Sequence, residues 1–457
     1  MTIFPDVQAS AELPLHRRPK AIWTTYLNPS FLASRRAHLS AGALWSVIAT
    51  IAAQATVVLT NIMVARSVGH YAFGEYCVVQ NTATTVGNLG AAGIGISATR
   101  FVAGLRSRNI DKLSAILRLL MQACTATGAL FTIALAALAP QLAAAVFGEP
   151  SLAWMLRVVA VSIIFLTLGG FQQGVLLGFQ AFRELAVANF LHLIVSLTIV
   201  ALLLHFGGLT GAIIGVAGYS VSLWAWQRRA VLGKYREEGL DLTHSGSAEW
   251  SDVFIGCAIP SALAGILAQI AAWISNATVA KGVDGFKQFA FFSAAFTLRQ
   301  VVAFLPAIVG RVVSPRLYDP DLSNEQFQRS LLTTAAVSGF VAALVAAPLL
   351  VIAPWILTFF GNGYDHAVAP ARLLIASAIL EAVANSLYFA MVRNSRLWTY
   401  LAVICGWSTC VIAGAFAGRN GNGALAMAGG YVGAWLVACI ALLCLTFCRR
   451  SRRPYAE

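Results

Sequence analysis

Apolar stretches of roughly twenty residues, the length a helix needs to cross a bilayer's hydrocarbon, follow one another along almost the whole chain. Short polar breaks part them. Twelve such runs are legible, near 41–64, 76–98, 115–138, 154–177, 184–204, 208–227, 253–276, 288–310, 331–353, 369–391, 398–417 and 424–447. The pattern predicts an all-α, polytopic membrane protein with about twelve transmembrane helices.

Composition points the same way. Of 457 residues, 59% are hydrophobic and only 11% charged, and the mean hydropathy is +0.76. So little charge cannot cover a soluble domain of this size, which excludes a soluble enzyme, a disordered chain and a disulfide scaffold. The eight cysteines lie in or beside apolar runs and form no CxxC pair, so they read as small buried hydrophobes. No metal or cofactor is expected.

A net charge of +13 would suggest nucleic acid in a soluble protein. Here the distribution of the basic residues points instead to the bilayer, with no nucleic-acid partner. With the N-terminus inside, 24 of the 31 Lys and Arg fall on the inner side, 6 on the outer side, and Arg299 inside a span. Such a bias is the positive-inside pattern for twelve spans with both termini cytoplasmic.

The chain also repeats itself. Asn61-Ile-Met-Val-Ala-Arg66-Ser-Val68 resembles Asn276-Ala-Thr-Val-Ala-Lys281-Gly-Val283, 215 residues later. Ala139-Pro140 with Phe147-Gly148 resembles Ala353-Pro354 with Phe360-Gly361. An even number of spans separates the copies, so they share one orientation across the membrane. The predicted layout is a basic cytoplasmic tail (1–38), a six-helix half (39–228), a cytoplasmic linker (229–250), a second six-helix half (251–448) and a basic tail (449–457). Repeated halves around a central cavity suit an alternating-access carrier.

One region carries a family resemblance. The first span runs into Ala65-Arg66-Ser-Val-Gly69-His70-Tyr71-Ala-Phe73-Gly74, and the second ends Gly90-Ala-Ala-Gly93-Ile-Gly95-Ile-Ser-Ala-Thr99-Arg100. This resembles the polysaccharide transporter family (Wzx-type oligosaccharide flippases) of the multidrug/oligosaccharidyl-lipid/polysaccharide exporter superfamily. It departs from that family at His70, where proline is frequent. The resemblance implies a non-enzymatic inner-membrane carrier for undecaprenyl-pyrophosphate-linked oligosaccharide, serving exopolysaccharide, capsule or O-antigen assembly. A polysaccharide polymerase and co-polymerase are the implied partners. A multidrug exporter of the same superfamily and a lipid II flippase are the alternatives. The first typically carries a carboxylate in the first span, absent from 41–64; the second typically has two further helices. Glycines 69 and 74 suit a tight external turn, and Gly90, Gly93 and Gly95 suit close helix contact or bending.

Polar residues within spans default to functional candidates. Gln54 and Asn61 lie seven residues apart on one helical face, and Gln269 and Asn276 repeat that spacing 215 residues on. They read either as an amide lining for sugar hydroxyls or as glue between helices. Arg299, mid-span, suits a pyrophosphate or an acidic sugar, or else a structural ion pair. Glu381 is either the coupling site for a proton or Na⁺ or the fixed partner of Arg299. Arg66, Lys281 and Arg100, at span ends, read as cationic rims at the two mouths or as interfacial anchors.

Overall fold

Backbone N–H and C=O groups inside a bilayer have no water to bond, so apolar runs of this length fold as helices that satisfy them internally. The computed structural model describes residues 29–91, 93–106, 108–240, 259–317, 323–394 and 396–447. Eleven α-helices occupy them: α1 (Pro29–Gly90), α2 (Ile94–Leu105), α3 (Ile110–Gln141), α4 (Leu152–Gly178), α5 (Phe182–Glu237), α6 (Ile259–Ala280), α7 (Gly285–Leu317), α8 (Asn324–Thr358), α9 (Val368–Arg393), α10 (Leu397–Ala417) and α11 (Gly423–Phe447). Among the described residues, ten helices are long and apolar enough to cross a membrane. The predicted tails, apart from 29–38, and linker residues 241–250 lie outside the described residues.

Two helices are far too long for one crossing. The 56 residues of α5 would span about 84 Å at 1.5 Å per residue, against a hydrocarbon thickness of about 30 Å. Each long helix is broken by one glycine in a conformation that a Cβ would strain: Gly69 (φ 77°) in α1 and Gly208 (φ 53°) in α5. The twelve-span reading requires both to cross twice, turning at those glycines.

The structure corrects the sequence reading at two places here. The predicted second span, 76–98, is interrupted: α1 stops at Gly90, Gly93 takes φ 78°, and α2 starts at Ile94. Gly74 is not a turn residue but a helical one. Its missing Cβ lets α1 lie directly on the backbone carbonyl of Phe286. Gly95 makes the expected close contact: it packs against α4, where Gly174 leaves room for its carbonyl. Thr99 Oγ1 then donates to the Gly174 carbonyl at 2.8 Å.

The repeat is visible in backbone conformation. Asp284 has a positive φ (50°), 215 residues after Gly69. Gly148 (φ 74°) ends a π-helical turn, Leu142–Phe147, that continues α3 beyond Pro140. Gly361 (φ 120°) takes the corresponding place after α8, which carries Pro354.

Among the described residues, the halves share a buried core at one end. One buried cluster joins Val64, Phe73 and Tyr76 of α1 to Phe289, Phe291 and Phe360 of the second half. At the opposite end the first half closes on itself through Ile94, Leu117, Phe171 and Tyr235. The shared end is sealed by rings. Phe73 packs edge-on to Phe360 and Tyr364, Tyr71 packs edge-on to Phe286, and His70 leans on Phe291 and Tyr364.

Candidate functional site

Just inside that seal, between the two halves, lies a cavity of about 410 Å³, within the size range of small-molecule sites. Helix α1 contributes Asn61 and, beyond its kink, Gln80, Asn81 and Thr84; α6 contributes Gln269 and Asn276. Helix α7 presents two adjoining rows: Phe289, Phe292 and Phe296 form a ring wall, and Ser293, Thr297 and Gln300 form a polar edge. Spacings of three and four residues put each row on one helical face. Tyr219 and Tyr431 complete the aromatic surface.

Three of the four predicted amides meet this cavity, but they do not bond each other. Each links to the opposite half. Asn61 Nδ2 donates to Thr297 Oγ1 at 3.2 Å, and Asn276 Nδ2 donates to Asn81 Oδ1 at 2.8 Å. Thr297 is the repeat counterpart of Thr82, so the two links are near copies about the repeat axis. Gln269 Nε2 donates to Thr85 Oγ1 at 3.3 Å, and Trp273 Nε1 donates to Thr82 Oγ1 at 3.1 Å. The glue and the lining are therefore the same side chains. Gln54 departs from the expectation: it is not among the cavity's lining residues, and its Oε1 is buried without a partner.

Arg299 is 5% exposed and does not line the cavity. Its Nη2 lies 2.6 Å from Glu381 Oε2 on α9, and its Nε donates to Ser377 Oγ at 3.1 Å. The guanidinium sits 5.0 Å and 5.5 Å from the ring centroids of Phe296 and Tyr431. A cation in such a setting needs a partner, and Glu381 supplies it. Arg299 thus backs the aromatic wall instead of facing the cavity, and Glu381 is its mate.

The three rim cations lie elsewhere. Arg66 is exposed at the sealed end, and Arg100 is exposed on α2 near the other end. Lys281 Nζ donates to the Ala145 carbonyl at 2.7 Å, tying α6 to the π-helical turn of the first half. It borders a second cavity of about 270 Å³ with Trp273, Phe416 and Arg419. None of the three lines the central cavity.

The sequence reading missed the aromatic wall and the hydroxyl partners. A signal existed: Phe289, Phe292 and Phe296 run beside Ser293, Thr297 and Gln300 at helical spacing. Thr82, Thr85 and Trp273 carry no such mark, because only pairing across the halves gives them a role.

The comparisons with known proteins agree with this architecture. The family model described as "Polysaccharide biosynthesis protein" matches residues 39–319. The chain is 25% identical over 418 residues to the EPS I polysaccharide export inner membrane protein EpsE of Ralstonia nicotianae, covering 87% of this chain and 92% of that one. It is 26% identical over 423 residues to the protein of the same name from Ralstonia solanacearum, covering 88% and 93%. Among solved structures it is similar to an inward-facing MATE family multidrug resistance transporter of the MOP superfamily, with a TM-score of 0.72, 15% identity and coverage of 86% and 93%. It is also similar to the lipid II flippase MurJ in an inward closed conformation, with a TM-score of 0.69, 14% identity and coverage of 88% and 86%. At those identities the solved structures speak for the fold alone. With well over half its length matched by the family model, the chain belongs to the polysaccharide biosynthesis protein family and has the helical fold of MOP-superfamily transporters.

Proposed function

We propose that this protein is a flippase of the inner membrane that moves lipid-linked oligosaccharide repeat units, carried on undecaprenyl pyrophosphate, between leaflets during surface polysaccharide assembly. The observation that carries the reading is the central cavity. It lies between repeat-related halves, is sealed at one end by rings, and is lined by amides, hydroxyls and aromatic faces. Hydroxyl-rich ligands bond amides through their edges and stack their C–H faces on rings. The curated relatives named for polysaccharide export support the same reading.

In this mechanism the halves rock about the cavity. The sugar enters from the cytoplasmic side, the seal opens as the far ends close, and the lipid tail stays in the bilayer. No covalent bond is made or broken, so the chain acts as a carrier and not as an enzyme. Both termini face the cytoplasm, and a polymerase and co-polymerase consume the product outside. The drive is an ion gradient or the trapping of flipped substrate by polymerisation.

Deletion of the gene in its host tests this. Surface polymer should disappear while lipid-linked repeat units accumulate in the cytoplasmic leaflet. Normal polymer with new sensitivity to cationic dyes would refute the proposal in favour of a drug exporter. Lost polymer with no accumulated precursor would refute it in favour of a role in synthesis.

A further inference from the structure

We infer that the cavity selects uncharged sugar chains and rejects those bearing carboxylates, an inference that rests on the flippase reading above. Among the described residues that line it there is no Lys, Arg, His, Asp or Glu. Nine lining side chains are amides or aliphatic hydroxyls, and five are aromatic. A sugar acid placed there finds no cation.

The hydrogen-bond polarity of the lining sharpens this. Thr297 Oγ1 spends its proton on the Ser293 carbonyl at 2.9 Å, so towards Asn61 it can only accept. That fixes the Asn61 amide with its nitrogen on Thr297 and leaves Oδ1 as a bare acceptor. Asn276 Nδ2 donates to Asn81 Oδ1, which leaves its own Oδ1 without a donor. Both oxygens are buried with no donor, in residues only 8% exposed. Buried acceptors without donors are costly. Neither oxygen has surface open to the cavity in this conformation; when the halves part, a sugar hydroxyl can supply the missing proton, whereas a carboxylate brings only more acceptor oxygens and a like partial charge.

The buried cation behind the aromatic wall cannot serve. Arg299 is held by Glu381 and Ser377 and lies behind Phe296 and Tyr431. A substrate carboxylate reaching it would have to displace a buried ion pair. Arg66, Lys281 and Arg100 lie outside the lining.

The test uses the full chain in lipid nanodiscs and three probes: undecaprenyl pyrophosphate alone, the same lipid bearing a neutral hexose tetrasaccharide, and a matched tetrasaccharide with one hexose replaced by hexuronic acid. Binding is read by quenching of tryptophan fluorescence. The neutral conjugate should bind about tenfold tighter than the uronate, or more, as expected for a charge left unpaired on burial. Gln80→Arg and Gln300→Arg each place a cation on the lining, and either one, if its melting profile is retained, should shift the ratio towards the uronate. Uronate binding equal to or tighter than neutral binding in the unmodified protein would overturn the inference and leave the flippase reading standing. An unchanged ratio in a folded arginine variant would also overturn it. If neither sugar conjugate binds tighter than undecaprenyl pyrophosphate alone, the flippase reading falls and takes this inference with it.

Discussion

Replacing Glu381 with glutamine separates a structural ion pair from an ion-coupling site. Arg299 is 5% exposed and the Glu381 side chain 21%, with 2.6 Å between their charged atoms. Removing one partner of a buried pair costs about 3–5 kcal/mol, because the other charge is stranded. The loss here should fall below that range. Glu381 is only partly buried, Arg299 keeps its bond to Ser377, and two ring faces lie within cation–π reach, each worth about 0.5–2 kcal/mol. A net destabilisation of about 2–3 kcal/mol follows for Glu381→Gln. The double replacement Arg299→Met with Glu381→Leu removes both desolvated charges and should lie within about 1 kcal/mol of the unmodified protein. Equilibrium unfolding in mixed SDS and detergent micelles measures all four corners of the cycle. Transport per folded molecule should persist in Glu381→Gln. Two results would refute the reasoning: a double variant as unstable as the worse single, or a fully stable Glu381→Gln that no longer transports. The second would make Glu381 the coupling carboxylate.

Other expectations follow from the contacts between halves. Gly74→Ala sets a methyl group against the Phe286 carbonyl, so the sealed end should no longer close; cysteines placed there should react with external maleimide faster than in the parent. Asn61→Ala and Asn276→Ala each delete one link across the halves, at about 0.5–1.5 kcal/mol, and spin-label distances across the seal should lengthen or broaden in both. Gly174→Ala drives a Cβ into the Gly95 backbone and should lower the melting temperature without changing cavity binding in the protein that remains folded. Trp273→Phe loses the bond to Thr82 but keeps a ring beside Phe147, so it should cost about 0.5–1.5 kcal/mol and leave fluorescence-detected binding measurable through the remaining tryptophans.

Much of the fold was legible because membrane helices announce themselves by length and apolarity. The repeat was legible because Asn61 and Asn276 stand in matching strings. The breaks were harder. Gly69 and Gly208 look like any other glycine until the length of α1 and α5 is set against the bilayer. The interruption at Gly93 falls inside a run apolar enough to read as one span. The site was half legible. Polar residues in spans pointed to Asn61, Gln269 and Asn276, and charge pointed to Arg299 and Glu381 with two readings each, of which the structure shows the ion pair. That both are charges inside spans made them candidate partners; the packing of α7 against α9 is what brings them together. The aromatic wall was missed because phenylalanine in an apolar run carries no contrast.

The seal at the Gly69 end consists largely of rings and bare backbone, with Gly74 on Phe286 and Phe73 between Phe360 and Tyr364. Contacts of that kind are nearly blind to ionic strength, since salt screens charges and not apolar surface. They do weaken on cooling, as apolar burial loses its drive. Closure of this end should therefore respond to temperature more than to the salinity of the surroundings. A cell growing in the cold would hold it ajar more often, and a cell moved from fresh water to brine would hardly disturb it.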